Sequence, residues 1–467
     1  MATRGVREAM QKPVENKMGV MPIPKLILNM SLPMILSMLV QALYNIVDSY
    51  FVARYDLQAL TAVSLAFPAQ NMMIGVATGT AVGVNALLSR ALGEKKPELA
   101  NRIAENGIFL ALVGYLVFLL FGLFGVRAFF ASQTDVQAVI DYGVDYLTVV
   151  CCFSFGLYGQ VIFERLMQST GRTIYTMFTQ GLGAIINIIL DPVFIFVFGL
   201  GAKGAAIATV LGQIVAFALA AFLNHRKNSD IRLQLRRFRP DGHLIGRIYA
   251  IGVPSIIMMA VGSVMTFAMN KILIGYTLGK EDSATVFGIY FKLNSFIFMP
   301  IFGMNNGIIP IVAYNYGARN RLRMVQAMKT AVIYASGYMF IGLLLFMLIP
   351  GRLLGIFNVS ESMLAIGVPA LRITGSTFLF AGACIAIGSF FQALGYGTYS
   401  LIVSVARQLL VLVPAAWLLA KLGMRVGNDT LVWFSYPIAE IASLAVTLVL
   451  FARLYRKVIK GIPDGAR

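Results

Sequence analysis

The sequence predicts an all-α polytopic membrane protein, with twelve transmembrane helices in two pseudo-symmetric six-helix bundles that flank a cleft. Three observations predict it. Apolar stretches long enough to cross a hydrocarbon core, about 20 residues each, recur through a 467-residue chain that is 58% hydrophobic and only 12% charged. Basic residues crowd into alternate loops. The second half of the chain repeats the first. A soluble protein cannot hide that much apolar surface, and a mean hydropathy of +0.79 belongs to the membrane class.

The stretches begin near Pro24, Thr61, Ile103, Tyr142, Thr173 and Ala205, then near Leu244, Val286, Met324, Leu364, Tyr399 and Thr430. With the N-terminus inside, 27 of the 38 Lys and Arg fall in the two tails and the even-to-odd loops, among them Arg90, Lys95, Lys96, Arg236, Arg237 and Arg319. Seven fall on the other side and four, Lys271, Lys292, Arg372 and Arg407, lie within or near helices. That is the positive-inside bias, so both termini are expected in the cytoplasm of a cell whose inner membrane holds the protein. It explains the net charge of +18 without a nucleic-acid partner. The polar, basic first 20 residues lack the short apolar core of a cleaved signal and read as a cytoplasmic tail.

The chemistry left open is narrow. Cys151, Cys152 and Cys384 lie in apolar segments with no CxxC, which suits small buried thiols better than redox or metal work. Two histidines, His225 and His243, leave little room for zinc or nucleophile–histidine catalysis. No GxxxxGKS loop is present, so the chain is not expected to be an ATP-driven enzyme or to carry a cofactor.

The basic stretch after Asn224, HRKNSDIRLQLRRFRPDGHLIGR, separates the halves. The expected organisation is a cytoplasmic tail (1–23), an N-lobe (24–224), a linker (225–247), a C-lobe (248–457) and a second tail (458–467). SLPMILSMLVQALYN around Pro33 echoes GVPSIIMMAVGSVMT around Pro254, SRALGEKKPE answers YNYGARNRLR, and ERLMQSTGRTIYT matches SFFQALGYGTYS. Pro33 and Pro254 are 221 apart; Gly93 and Gly317, like Gly171 and Gly395, are 224 apart. Six helices per copy is an even number, so both insert the same way around a two-fold along the membrane normal and leave a cleft between them.

Two aspartates stand deep in this apolar sequence. A carboxylate at that depth costs roughly 2.5–3.5 kcal/mol on insertion scales, so its default reading is functional. In the first helix Gln41, Tyr44 and Asp48 are spaced i, i+3, i+7; in the fifth, Gln180, Asn187 and Asp191 are spaced i, i+7, i+11; each set shares a helix face. Thr209 and Gln213 add a polar pair on the sixth. Lipid offers these groups no partners, so the faces should turn inward and meet. Two carboxylates together must share protons or hold Na⁺ through the oxygens of Asp48, Asn187, Asp191 and Thr209. Pro33 and Pro192 each remove a helix hydrogen bond and are candidate hinges. At the repeat offset Asp48 faces Met269, and Val413 faces Asp191, so cation coupling belongs to the first half. The second half carries Lys271, Lys292, Arg407 and Glu440, and its cleft wall reads as neutral or basic unless the lysines snorkel to an interface. Candidate substrate contacts are Gln41, Tyr44, Phe67, Asn71, Gln180, Met259, Met265 and Phe298, because flexible thioethers and flat rings accept many apolar cations.

SLPMILSMLVQALYNIVDSYFV, LSRALGEKK, MQSTGRT and above all NIILDPVFIF resemble the multidrug and toxic compound extrusion (MATE) family, in its DinF-like branch and of MepA type. The resemblance runs from Pro24 to about Lys457. It implies two six-helix lobes in a V, alternating access, and export of drug-like organic cations in exchange for H⁺ or Na⁺ by a monomer among membrane lipids. It maps a cation network onto Tyr44, Asp48, Asn187, Asp191 and Thr209, a drug-pocket position onto Gln41 and a bending proline onto Pro33. The acidic residues of the NorM-like C-lobe have no clear counterpart. A lipid or lipid-linked oligosaccharide flippase, which shares the helical plan, is the alternative.

Overall fold

The computed structural model describes residues 16–234, 236, 238–357 and 359–464. Most of the expected N-terminal tail, and Arg237 of the linker, lie outside them. The described chain contains helices and no strand. In the first half the spans are α1 (Ile23–Tyr55), α2 (Leu57–Gly93), α3 (Pro97–Phe124), α4 (Gln137–Cys152 and Phe155–Ser169), α5 (Thr173–Pro192, continued as a π-helical turn Val193–Val197) and α6 (Gly201–Lys227). In the second they are α7 (Gly242–Tyr276), α8 (Lys280–Gly317), α9 (Arg321–Leu348), α10 (Glu361–Gly375 and Phe378–Ala393), α11 (Gly397–Val405, π-helical Ala406–Leu412 and Val413–Val426) and α12 (Ser435–Leu454). Ten of these spans are long and apolar enough to cross a membrane unaided; α4 and α10 are helix pairs bent by 44° and 48°. Counting each bent pair as one span gives twelve.

Side chains from the loops set where the helices start. Asp56 Oδ1 accepts from the Gln58 amide at the head of α2, Asp241 from those of His243 and Leu244 at the head of α7, and Asn320 from that of Arg323 at the head of α9. Each satisfies amides that a helix leaves unpaired in its first turn. The repeat reaches the backbone: four of the seven left-handed residues among those described fall in two pairs 224 apart, Lys95 with Arg319 and Gly171 with Gly395.

The halves meet through glycine, and the same offset governs that contact. Across the halves α2 packs on α7 and α1 on α8. A Cβ placed at Gly79 would stand 2.9 Å from the Gly252 carbonyl oxygen, and one at Gly83 would stand 2.2 Å from that of Ile248. Their repeat mates on α8 press on α1: a Cβ at Gly303 would lie 2.7 Å from Ile35 Cα, and one at Gly307 would lie 2.6 Å from Ser31 Oγ. Gly93 and Gly317 abut reciprocally, each Cβ falling about 2 Å from a carbonyl of the other helix, that of Tyr314 (1.9 Å) or Arg90 (2.1 Å). Small residues spaced by four let backbones approach within lipid, where packing rather than water expulsion holds helices together. All these contacts lie toward the end of the molecule that bears the chain termini.

A short N-terminal segment straps the same end. Asn16 donates to the Thr170 carbonyl in the first half (3.1 Å), while Met18 is wholly buried and its carbonyl accepts from Asn315 (3.0 Å) and Arg323 (3.1 Å) in the second. Arg323 also donates to the Met21 carbonyl (2.7 Å) and to Asn315 Oδ1 (3.1 Å). Hydrogen bonds to a charged donor contribute about 1.5–3 kcal/mol each when buried. Arg323→Ala is therefore expected to cost about 2 kcal/mol after discounting for its half-exposed position, read as a lower midpoint of thermal unfolding in detergent.

Candidate functional site

The polar faces of α1, α5 and α6 turn toward one another. Asp191 is wholly buried and Asp48 is 9% exposed. The two carboxylates lie within electrostatic reach of each other, and among the described residues no Lys or Arg acts on either. Asn187 ties two elements together, its amide donating to Asp191 Oδ1 and to Thr209 Oγ1, both at 3.2 Å. Tyr44 is within electrostatic reach of both carboxylates. Asp48 Oδ1, Asp191 Oδ2 and Asn187 Oδ1 are buried with no hydrogen-bond partner among the described residues. Such oxygens are able to accept a proton or a cation, because an uncompensated buried carboxylate is costly to leave bare.

Beside this cluster lies a cavity of about 120 Å³ whose wall includes Gln41, Tyr44, Gln180, Asn187 and Thr209, with Met34 and Met38 among its apolar residues. Phe67, Asn71, Met259, Met265 and Phe298 are not part of that wall. Phe67 is 60% exposed, and Phe298 packs edge-on against Phe378 in the second half (5.6 Å). Met259 touches the wall from outside, its sulfur 3.5 Å from the hydroxyl of the wall residue Thr78. Of the hinge candidates, Pro33 is buried inside α1, with Ser37 Oγ bonded to its carbonyl (2.9 Å). Pro192 closes the α-helical part of α5, and the π-helical turn follows at once.

Three further groups escape the sequence reading. Tyr146, on the first segment of α4, stands near both aspartates and receives a hydrogen bond from Gln70 (3.0 Å). Glu164 is 3% exposed, lines the cavity, and accepts from Thr179 (2.7 Å), Gln160 (3.0 Å) and Gln180 (2.7 Å). Arg165, next to it, is 7% exposed and also faces the cavity. In the second half the four charged residues singled out by the sequence have different surroundings. Arg407 is paired with Glu440 (3.2 Å), Lys292 is exposed, and Lys271 is exposed above the Phe267 ring (5.8 Å).

This architecture, paired helical halves around an intramembrane acidic site, defines a multi-pass membrane transporter. The MatE family profile matches the chain twice, over residues 33–193 and 254–418. The chain belongs to the MatE family. Among curated relatives it is 26% identical over 437 residues to the multidrug export protein MepA of Staphylococcus aureus strain MRSA252, covering 92% of this chain and 94% of that protein. Among solved structures it is similar to an outward-facing multidrug resistance MATE family transporter of the MOP superfamily. The TM-score is 0.89 at 25% identity, over 96% of this chain and 99% of the other. A MATE protein in complex with MaL6 gives the same TM-score and identity, over 96% and 100%.

Proposed function

We propose that the protein is a multidrug efflux antiporter of the inner membrane that exports amphipathic, often cationic organic compounds in exchange for H⁺ or Na⁺. The observation that carries this reading is the convergence of Asp48 and Asp191, with unpaired oxygens, beside a cavity that also holds Glu164. A cation entering at the aspartates and an organic cation entering at Glu164 would then occupy adjoining sites. Asn187 and Thr209 complete the coupling-ion shell and Tyr44 stands between shell and cavity. The names of these relatives support export, and the flippase alternative finds no support among them. The basic bias of one set of loops supports cytoplasmic termini. On that orientation the glycine contacts close the cytoplasmic end, and the state is outward-facing. The lobes 24–224 and 248–457 would rock about the cleft, with Pro33 and the π-helical turn after Pro192 absorbing the bend. A single chain contains the whole site, which suits a monomer.

Dye efflux from proteoliposomes, with a pH gradient and a Na⁺ gradient imposed separately, tests the proposal. Uphill dye movement driven by one of the two supports it and names the ion; movement that follows only the dye's own gradient refutes it. At about 120 Å³ the cavity is smaller than the roughly 300–1,000 Å³ typical of drug pockets, so a bound compound must displace Met34 and Met38, which flexible thioethers permit. Glu164→Gln is expected to weaken binding of an organic monocation about tenfold, the loss of one charge-assisted contact, while a neutral compound of like shape keeps its affinity. Fluorescence polarisation in detergent measures both.

A further inference from the structure

The cavity and the closure between the halves are joined by one side chain. Arg165 Nη1 donates to Gln168 Oε1 (2.9 Å) and, across the halves, to Asn306 Oδ1 on α8 (2.8 Å). Asn306 precedes Gly307, one of the glycines on which α1 rests, and it is 9% exposed. Glu164, adjacent in sequence, is in electrostatic reach of the guanidinium, yet the bonds to its carboxylate come from the neutral donors Thr179, Gln160 and Gln180. Among the described residues the carboxylate acting on the guanidinium thus leaves it to two neutral amides, one of them on the opposite half. Nor is the link inherited from the duplication. At the offset of 224, Arg165 corresponds to Ser389 and Asn306 to Val82, so a symmetric glycine closure carries one asymmetric polar tie.

We infer that Arg165 is a positioning residue that alternates between Glu164 and Asn306, and thereby makes occupancy of the cavity by an organic cation favour closure of the terminus-bearing end. This rests on the proposed transport function. When that end opens and α8 withdraws, the guanidinium loses Asn306 and relaxes toward Glu164, the nearest negative group. A positively charged compound that takes Glu164 repels the guanidinium, which is then free to capture Asn306 and stabilise the closed arrangement. Release of the compound to the other side removes the repulsion and loosens the tie for the return. The drive needs no new contact between compound and α8; it needs one buried cation displaced by another.

The test uses the full-length protein with Cys151, Cys152 and Cys384 changed to Ala and Ser31→Cys as reporter, since Ser31 is 2% exposed between α1 and α8. The readout is the rate of maleimide labelling with and without a fluorescent organic monocation. In this parent the compound slows labelling. Asn306→Ala abolishes that protection and lowers dye export about tenfold, the cost of one hydrogen bond to a charged group, with dye affinity within about twofold because Asn306 does not line the cavity. Asn306→Asp acts in the opposite sense: an ion pair with Arg165 slows labelling even without dye and lowers turnover by overstabilising the closed state. A static tie would shift basal labelling in opposite senses for the two variants but leave the dye effect intact, so dye protection that persists in Asn306→Ala, loosening by both variants, or no change in either overturns the inference. If Asn306→Ala fails to fold, Asn306→Asp and Arg165→Lys carry the same comparison. Failure of the parent to export dye uphill would instead count against the transport function, whereas labelling reports the tie directly.

Discussion

Asp191→Asn is expected to reduce uphill dye export to the level of empty liposomes, and Asp48→Asn to do the same, while both proteins insert and unfold at near-parental temperatures. Asparagine keeps the size of the side chain and one acceptor oxygen, so the bond from Asn187 to position 191 (3.2 Å) survives. The ability to bind and release a proton or Na⁺ does not. The two carboxylates lie within electrostatic reach of each other and each has an unpaired oxygen, so removing either takes one charged ligand from the set that a desolvated proton or Na⁺ requires. Removing either therefore has about the effect of removing both, the non-additivity expected of groups that act as a unit. Dye affinity should remain, since neither aspartate lines the cavity. Retained affinity with lost uphill export separates broken coupling from a damaged pocket. Asn187→Ala, which removes only neutral contacts, should fall between, about tenfold slower. Undiminished efflux in both aspartate variants would remove the acidic pair from the mechanism.

Why these two residues were legible, and Glu164 was not, follows from their surroundings in the chain. Asp48 and Asp191 are the lone acidic residues of long apolar runs, so their cost in lipid shows in the sequence and their helical spacing predicts which neighbours share their face. Glu164 and Arg165 lie within two turns of the Gly171 loop, where charged residues are ordinary. In the structure both are buried, on the second segment of α4, which is bent by 44° from the first. Tyr146 belongs to a different span from either aspartate, and no periodicity within one helix predicts a contact between two. Composition was a poorer guide still. Methionine and phenylalanine suit both lipid and a drug pocket, and Phe67 and Phe298 lie outside the cavity wall. Arg407 and Glu440 are 33 residues apart on neighbouring helices; each reads as a lone charge in sequence, while the pair is nearly neutral in structure. The duplication was legible at Gly93 and Gly317 because turn motifs surround them. The glycines at 79, 83, 303 and 307 obey the same offset inside apolar helix, where nothing but the repeat itself marks them.

Those glycines set the second large effect, and it comes from geometry rather than charge. Gly83→Val is expected to wedge the halves apart at the terminus-bearing end and to abolish export, because its Cβ would stand 2.2 Å from the Ile248 carbonyl oxygen and 3.0 Å from the carbonyl carbon. A side chain could rotate out of the way, but a helix backbone cannot shift by about an ångström without moving the helix, so overpacking here is felt by the whole interface. Gly307→Val, its repeat mate, meets Ser31 Oγ at 2.6 Å and the Met30 backbone at 3.0 Å. The hydroxyl can yield, so a milder loss is expected there. Gly337 on α9 has open space around its Cβ, and Gly337→Val should stay within about 0.5–1 kcal/mol of the parent. Maleimide labelling of Ser31→Cys reads the opening directly: it should rise sharply with Gly83→Val, moderately with Gly307→Val and not with Gly337→Val. Parental labelling and export in Gly83→Val would mean that the halves do not need to meet along this line in any step of transport. The symmetric glycine contact would then be a relic of duplication rather than a gate.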